Sequence, residues 1–229
     1  MNKNYFNSEE FLSIEEKFLQ KHNLKKLHSK DGALIDYVPY SLKNNFCNQQ
    51  LYSHPFLYLH NDAYQNFKEA IKIADSKEYL LRIWDCYRPF EVQSFMAQKF
   101  PKYVEKGFIS HPSEGIATHV RAIAIDLTLV DKKTGLEIDM GTGFDNMSEK
   151  SYHHSTEIDS KIFKNRQILA NIMNKSGFET YENEWWHYNL KIFDYQNVKI
   201  VGAIATADKK YPKIPAGEFN ELLSLDLSI

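Results

Sequence analysis

Residues 122–130, AIAIDLTLV, restrict the fold of this chain more than any other stretch. Nine residues rich in branched side chains and bounded by polar segments read as a strand. Alternation along a strand sends Ile123, Ile125, Leu127 and Leu129 to one face, the core, and Ala122, Ala124, Asp126 and Thr128 to the other. A carboxylate set among small residues suits a place where something approaches the sheet closely. By itself, Asp126 reads equally well as a buried acid paired with an arginine or with backbone.

The rest of the chain organises around this strand. The spacing predicts helices over residues 8–21, 62–76, 90–99 and 160–176. The first carries a capping box between Ser13 and Glu16, and the last stops at Gly177, which suits the left-handed position after a helix. YLLRIWD at 79–85 and the segment 178–192 have strand or hairpin character. Residues 31–56 are irregular, 107–118 form a turn-rich loop, and VKIVGAIAT at 198–206 lies in an apolar tail. Helices and strands without regular alternation predict an α+β domain, a mainly antiparallel sheet flanked by helices. The whole of 1–229 reads as a single domain.

Composition excludes several classes. With 28 basic against 30 acidic residues, the net charge of −2 gives no footprint for nucleic acid or an anionic membrane. No run approaches the roughly 20 apolar residues of a membrane span. The first eighteen residues form an acidic amphipathic pattern with no apolar signal region, which predicts a cytoplasmic protein with Cys47 and Cys86 reduced.

Chemistry gathers on a few residues. His119 stands at the entry to the central strand, seven positions before Asp126, and His187 lies in ENEWWHY. Two histidines and a carboxylate are a recurrent zinc set that leaves a fourth position for water, and Glu184 offers a carboxylate suited to general-base work. Each also has an ordinary reading, a loop histidine or a core histidine bonded to a carbonyl. In a regular strand Glu184 and His187 point in opposite directions, so both reach one place only if a turn or bulge intervenes near Asn183. Arg88, in WDCYRP, has extended backbone imposed by Pro89. It reads either as an oxyanion stabiliser or as the partner of Asp85.

WDCYRP, THVRAIAIDLTL, FDNM at 144–147, SYHH at 151–154 and SGFETYENEWWHY together resemble the VanX-type D-alanyl-D-alanine dipeptidases. These are zinc enzymes of a wider group that includes D-Ala-D-Ala carboxypeptidases and hedgehog-like domains. The likeness runs from about residue 37 to 192, leaving an N-terminal helix and a C-terminal tail as additions. It implies a hedgehog/DD-peptidase-like zinc fold with one Zn2+ per chain on His119, Asp126 and His187. Glu184 is then the base and Arg88 the transition-state stabiliser. It further implies that Asp145 holds the substrate ammonium, that Thr118 lies near the substrate carboxylate, and that Tyr40 is a pocket tyrosine. His153 and His154 fall in a loop near the site and are not ligands. The family pattern S-x-H-x-x-G-x-A-x-D is met here with Ala117 and Ala122 in place of the serine and glycine.

The expected activity is zinc-dependent hydrolysis of D-Ala-D-Ala or a similar small D-amino-acid dipeptide. Three alternatives stand beside it: a zinc carboxypeptidase or amidase on peptidoglycan fragments, an Fe(II) oxygenase with the same ligand types, and a non-catalytic binding module.

Overall fold

The computed structural model describes residues 5–113, 117–192 and 209–215. Its elements run α1 (Glu9–Lys21), β1 (Leu24–Lys26), β2 (Tyr58–His60), α2 (Asn61–Asp75), β3 (Tyr79–Asp85), α3 (Phe90–Lys99), α4 (Pro101–Glu105), β4 (Ala124–Asp131), α5 (Ser160–Lys175), β5 (Phe178–Tyr181) and β6 (Glu184–Leu190). Strands β3, β4, β6 and β5 form a four-stranded sheet in that order, and β1 pairs with β2; every pairing is antiparallel. The protein is therefore α+β, as the irregular alternation of elements predicts. VKIVGAIAT at 198–206 lies outside the described residues.

The expected strand at 122–130 begins two residues later, because the chain first makes a 3-10 turn over Thr118–Arg121 and leaves it through Ala122 in the left-handed region, φ 56°. Both faces of β4 are buried. Ile125, Leu127 and Leu129 enter the main core, while Asp126 and Thr128 are covered on the other side. A central strand with a buried acid needs compensation for that charge.

Helix α2 buries the Ala63, Phe67, Ala70 and Ala74 stripe that its spacing predicts. At the end of α5, Gly177 takes φ +86°, which favours glycine, and a Cβ there would stand 2.5 Å from the Asn66 side-chain nitrogen and displace it. Helix α1 is capped one turn earlier than expected. Ser8 accepts from the Phe11 amide at 3.2 Å, and Ser13 lies inside the helix. Either serine can cap a helix, and burial of Phe11 and Phe18 selects the start that gives a full apolar stripe. Among the described residues, no helix is long and apolar enough to cross a membrane.

Candidate active site and metal centre

Strands β3, β4 and β6 bring their polar residues together at one end of the sheet. Asp126 of β4 is paired in register with His187 of β6, and with Asp85 of β3 across a bulge at Trp84. His119 comes from the 3-10 turn just before β4. Ligand atoms of His119, Asp126 and His187 all lie within 4.8 Å of one another, and the three residues are buried.

The hydrogen bonds decide which atoms face inward. His119 Nδ1 lies 2.5 Å from the Cys86 carbonyl oxygen, which can only accept, so that nitrogen carries the proton and Nε2 keeps its lone pair. His187 Nε2 lies 2.8 Å from Asn189 Oδ1 and donates to it, leaving the lone pair on Nδ1. These two unprotonated nitrogens face each other at 3.1 Å. Asp126 lies 3.0 Å from one through Oδ1 and 3.2 Å from the other through Oδ2. Three lone-pair donors converging on one point repel each other unless a cation sits between them. Two imidazoles, each oriented by an oxygen acceptor on its other nitrogen, and a carboxylate fit a divalent metal of the zinc type.

Glu184 reaches the same point because β6 is irregular. Thr180 of β5 pairs with Tyr188, but its neighbour Tyr181 pairs with Glu184, so residues 185–187 bulge away from β5. His187 meanwhile keeps its place opposite Asp126. The bulge expected near Asn183 thus falls just after Glu184, and it brings Glu184 Oε2 to 3.8 Å from His187 Nδ1. Burial, reinforced by the negative charges of Asp126 and Asp145, pushes the Glu184 carboxyl well above the usual range.

Arg88 is locked in place. Its Nε and Nη2 donate to Asp85 Oδ2 at 3.0 and 2.8 Å, and its Nη1 donates to Gln93 Oε1 at 2.9 Å. Gln93 in turn donates to the Ser110 carbonyl at 2.6 Å, and Tyr52 donates to the other Asp85 oxygen at 2.7 Å. Arg88 is thus paired with Asp85, and the guanidinium so held also lines the cavity. Each terminal nitrogen retains a second N–H for a guest.

A cavity of about 450 Å³ opens over these groups, lined by Tyr40, Arg88, Thr118, Asp145, Glu184 and Trp186 among others. Tyr40 does not stand alone in it: its hydroxyl donates to both Asp145 oxygens, at 3.1 and 2.9 Å. Burial pushes the Asp145 carboxyl up to about 8, against the pull of Arg88 and with Asp126 and Asp85 adding to the rise. The two indoles serve the same loop. Trp185 donates to Thr142 at 2.7 Å, and Phe144 packs against Trp84 and Trp186 at 4.9 and 5.7 Å. His153 is buried beside Tyr188 and is not among the three convergent ligands.

The structure therefore gathers all eight residues singled out in the sequence, seven of them on the cavity wall and Tyr40 both on that wall and behind Asp145. Gln93, Asn189 and the Cys86 carbonyl were missed. Asn189 had a signal, since it stands two residues after His187 on one strand face. Gln93 and the carbonyl had none, because their roles depend on contacts made across the fold.

The family model for D-ala-D-ala dipeptidase matches residues 24–199. A D-alanyl-D-alanine dipeptidase of Escherichia coli is 33% identical over 153 residues, covering 67% of this chain and 77% of the relative. One from Enterococcus faecium is 36% identical over 151 residues, covering 58% of this chain and 73% of its own. A solved LD-carboxypeptidase aligns over 72% of this chain and 69% of its own at 16% identity, with a TM-score of 0.36, too low to carry an argument.

Proposed function

The chain belongs to the D-Ala-D-Ala dipeptidase family, and from that premise we propose that it hydrolyses D-Ala-D-Ala or a similar short D-amino-acid dipeptide with one zinc ion per chain. The observation that carries this reading is the convergence of unprotonated His119, His187 and Asp126 ligand atoms beside Glu184.

Zinc in that set supplies Lewis acidity, lowering the pKa of water from 15.7 towards about 7 and polarising a carbonyl. Glu184, whose burial makes its carboxylate a stronger proton acceptor, takes the proton of the attacking water in its ionised form and hands it to the leaving amine. Arg88 offers its remaining N–H groups to the oxyanion that develops on the scissile carbonyl, and its bonds to Asp85 and Gln93 fix that aim beforehand. Asp145, steadied by the Tyr40 hydroxyl, receives the ammonium group of a substrate with a free amino terminus. An incoming ammonium keeps that carboxyl ionised against its burial. Thr118 lines the same cavity as the hydroxyl available to the substrate carboxylate.

The test is release of alanine by the zinc-loaded protein from D-Ala-D-Ala, L-Ala-L-Ala and a pentapeptide stem ending in D-Ala-D-Ala. Turnover of the first alone is expected. No turnover of the dipeptide by metal-loaded protein overturns the proposal, and cleavage of the stem in its place identifies a carboxypeptidase.

A further inference from the structure

Residues 209–215 stand beyond the stretch matched by the family model, which ends at residue 199, yet they lie against the back of the His119 turn. That turn is short and conformationally costly. It spans Thr118–Arg121 and is entered through Ala117 at φ 47° and left through Ala122 at φ 56°. Left-handed backbone is strained for a residue with a Cβ, so such geometry persists only where the surroundings over-determine it.

The turn is held by the His60 amide on the Ala122 carbonyl at 2.8 Å, by the Arg88 amide on the His119 carbonyl at 3.1 Å, and on its other side by residues 209–215. The Ile214 amide donates to the Val120 carbonyl at 2.8 Å, and Arg121 Nη1 donates to the Tyr211 carbonyl at 2.6 Å. The Ile214 carbonyl accepts from the Tyr87 hydroxyl at 3.1 Å and from the Phe90 amide at 3.4 Å, which ties the same residue to the segment carrying Arg88. The strap has its own anchor: Tyr211 donates to Asp62 at 2.9 Å and sets its ring edge-on to His60 at 4.8 Å. Tyr211 and Ile214 are 3% and 2% exposed, so these bonds are shielded from water.

We infer that residues 209–215 are a positioning strap for His119 and Arg88, through which metal affinity depends on a piece of chain remote in sequence from the ligands. This rests on the reading of His119 as a metal ligand. One residue, Ile214, bonds both to the turn that presents His119 and to the segment that presents Arg88. Loosening it releases the two groups together.

The experiment uses the full chain with Ile214→Pro, which deletes the amide donor, and Ile214→Val, which keeps it. Zinc alone is titrated against a competing chelator, hydrogen exchange of the Val120, Ala122 and Ile123 amides is followed in metal-free protein, and kcat and KM are measured. Ile214→Pro is expected to weaken zinc binding about tenfold or more, the scale of losing a group that orients a ligand. It should also speed exchange at those amides and lower kcat with KM within about twofold. Ile214→Val should match wild type. Unchanged zinc affinity and exchange in Ile214→Pro, or equal losses in Ile214→Val, overturn the strap. Should Ile214→Pro not fold, Tyr211→Phe, which removes the hydroxyl that anchors the strap to Asp62, must weaken zinc binding and speed exchange; wild-type values there overturn the strap too. A wild-type chain that binds no zinc fails the functional reading itself, an outcome distinct from normal zinc binding by Ile214→Pro.

Discussion

Two buried clusters in this protein use similar ingredients to different ends. At the N-terminal end, His54, Glu15, Lys26 and Tyr58 lie among Phe6, Phe11 and Phe56; in the cavity, two histidines and several acids lie among tyrosines and tryptophans. In the first cluster the acid has its own cation. Glu15 accepts from Lys26 at 2.9 Å and from Tyr58 at 2.6 Å, while the Lys26 ammonium also sits 3.4 Å from the Phe56 ring centroid. His54 stacks on Phe56 at 4.8 Å, and burial, then Lys26, push it down to about 3, so it stays neutral. Around Arg88, by contrast, stand the four carboxyls of Asp85, Asp126, Asp145 and Glu184, and the imidazole lone pairs face one another. Burial of ionisable groups is common to both clusters. What marks a site is negative charge left in excess, with lone pairs converging where a cation and a substrate can enter.

The largest expected effect comes from removing Glu184, the carboxylate beside the three convergent ligand atoms. Glu184→Gln should cost about 10³-fold in kcat, within the range for loss of a general base, while zinc content stays at one per chain. Undiminished turnover would break the contrast, placing Glu184 with Glu15 as a structural acid. Next is Asn189→Leu, which takes away the acceptor that fixes the His187 tautomer. Zinc affinity should fall about 10–100-fold, measured by chelator competition, with little change in far-UV circular dichroism.

The smallest effect sharpens the other side of the comparison. His54 is neutral when folded, with its pKa near 3, against about 6.5 when unfolded. The unfolded chain therefore binds more protons between those values. The His54 contribution to stability is complete above pH 6.5 and is lost progressively as pH falls towards 3. Between pH 7.5 and pH 5 this amounts to roughly 2 kcal/mol. Urea unfolding at the two pH values should show His54→Phe losing less stability on acidification than wild type, by about that amount. His153, also pushed down to about 3 by burial, leaves part of the slope in both proteins.

Much of this was open to inspection along the chain. The stripe of α2, the helix over 160–176 with its stop at Gly177, the apolar strand around Asp126 and the ionisable residues of ENEWWHY all follow from local rules, since periodicity and side-chain chemistry are properties of neighbours. Asn189 was within reach of the same rules. The helix expected over 8–21 is observed at Glu9–Lys21, but the capping box points to Ser13 whereas Ser8 is the cap, a choice that rests on the packing of Phe11. Gln93 and the strap at 209–215 could not be read at all. Gln93 matters because α3 lies beside Arg88, and Ile214 because its backbone meets Val120, 94 positions earlier in the chain.

By itself, then, the sequence determined which groups the protein owns and which elements carry them: His119 before β4, Asp126 within it, Glu184 and His187 three residues apart. Tertiary structure decided where those groups point. The register shift between β5 and β6 turns Glu184 towards His187, the Cys86 carbonyl and Asn189 choose the tautomers, and the left-handed alanines with their strap hold the His119 turn. The physical reason is that identity is local, whereas direction is set by hydrogen bonds between segments that meet only when the chain has folded.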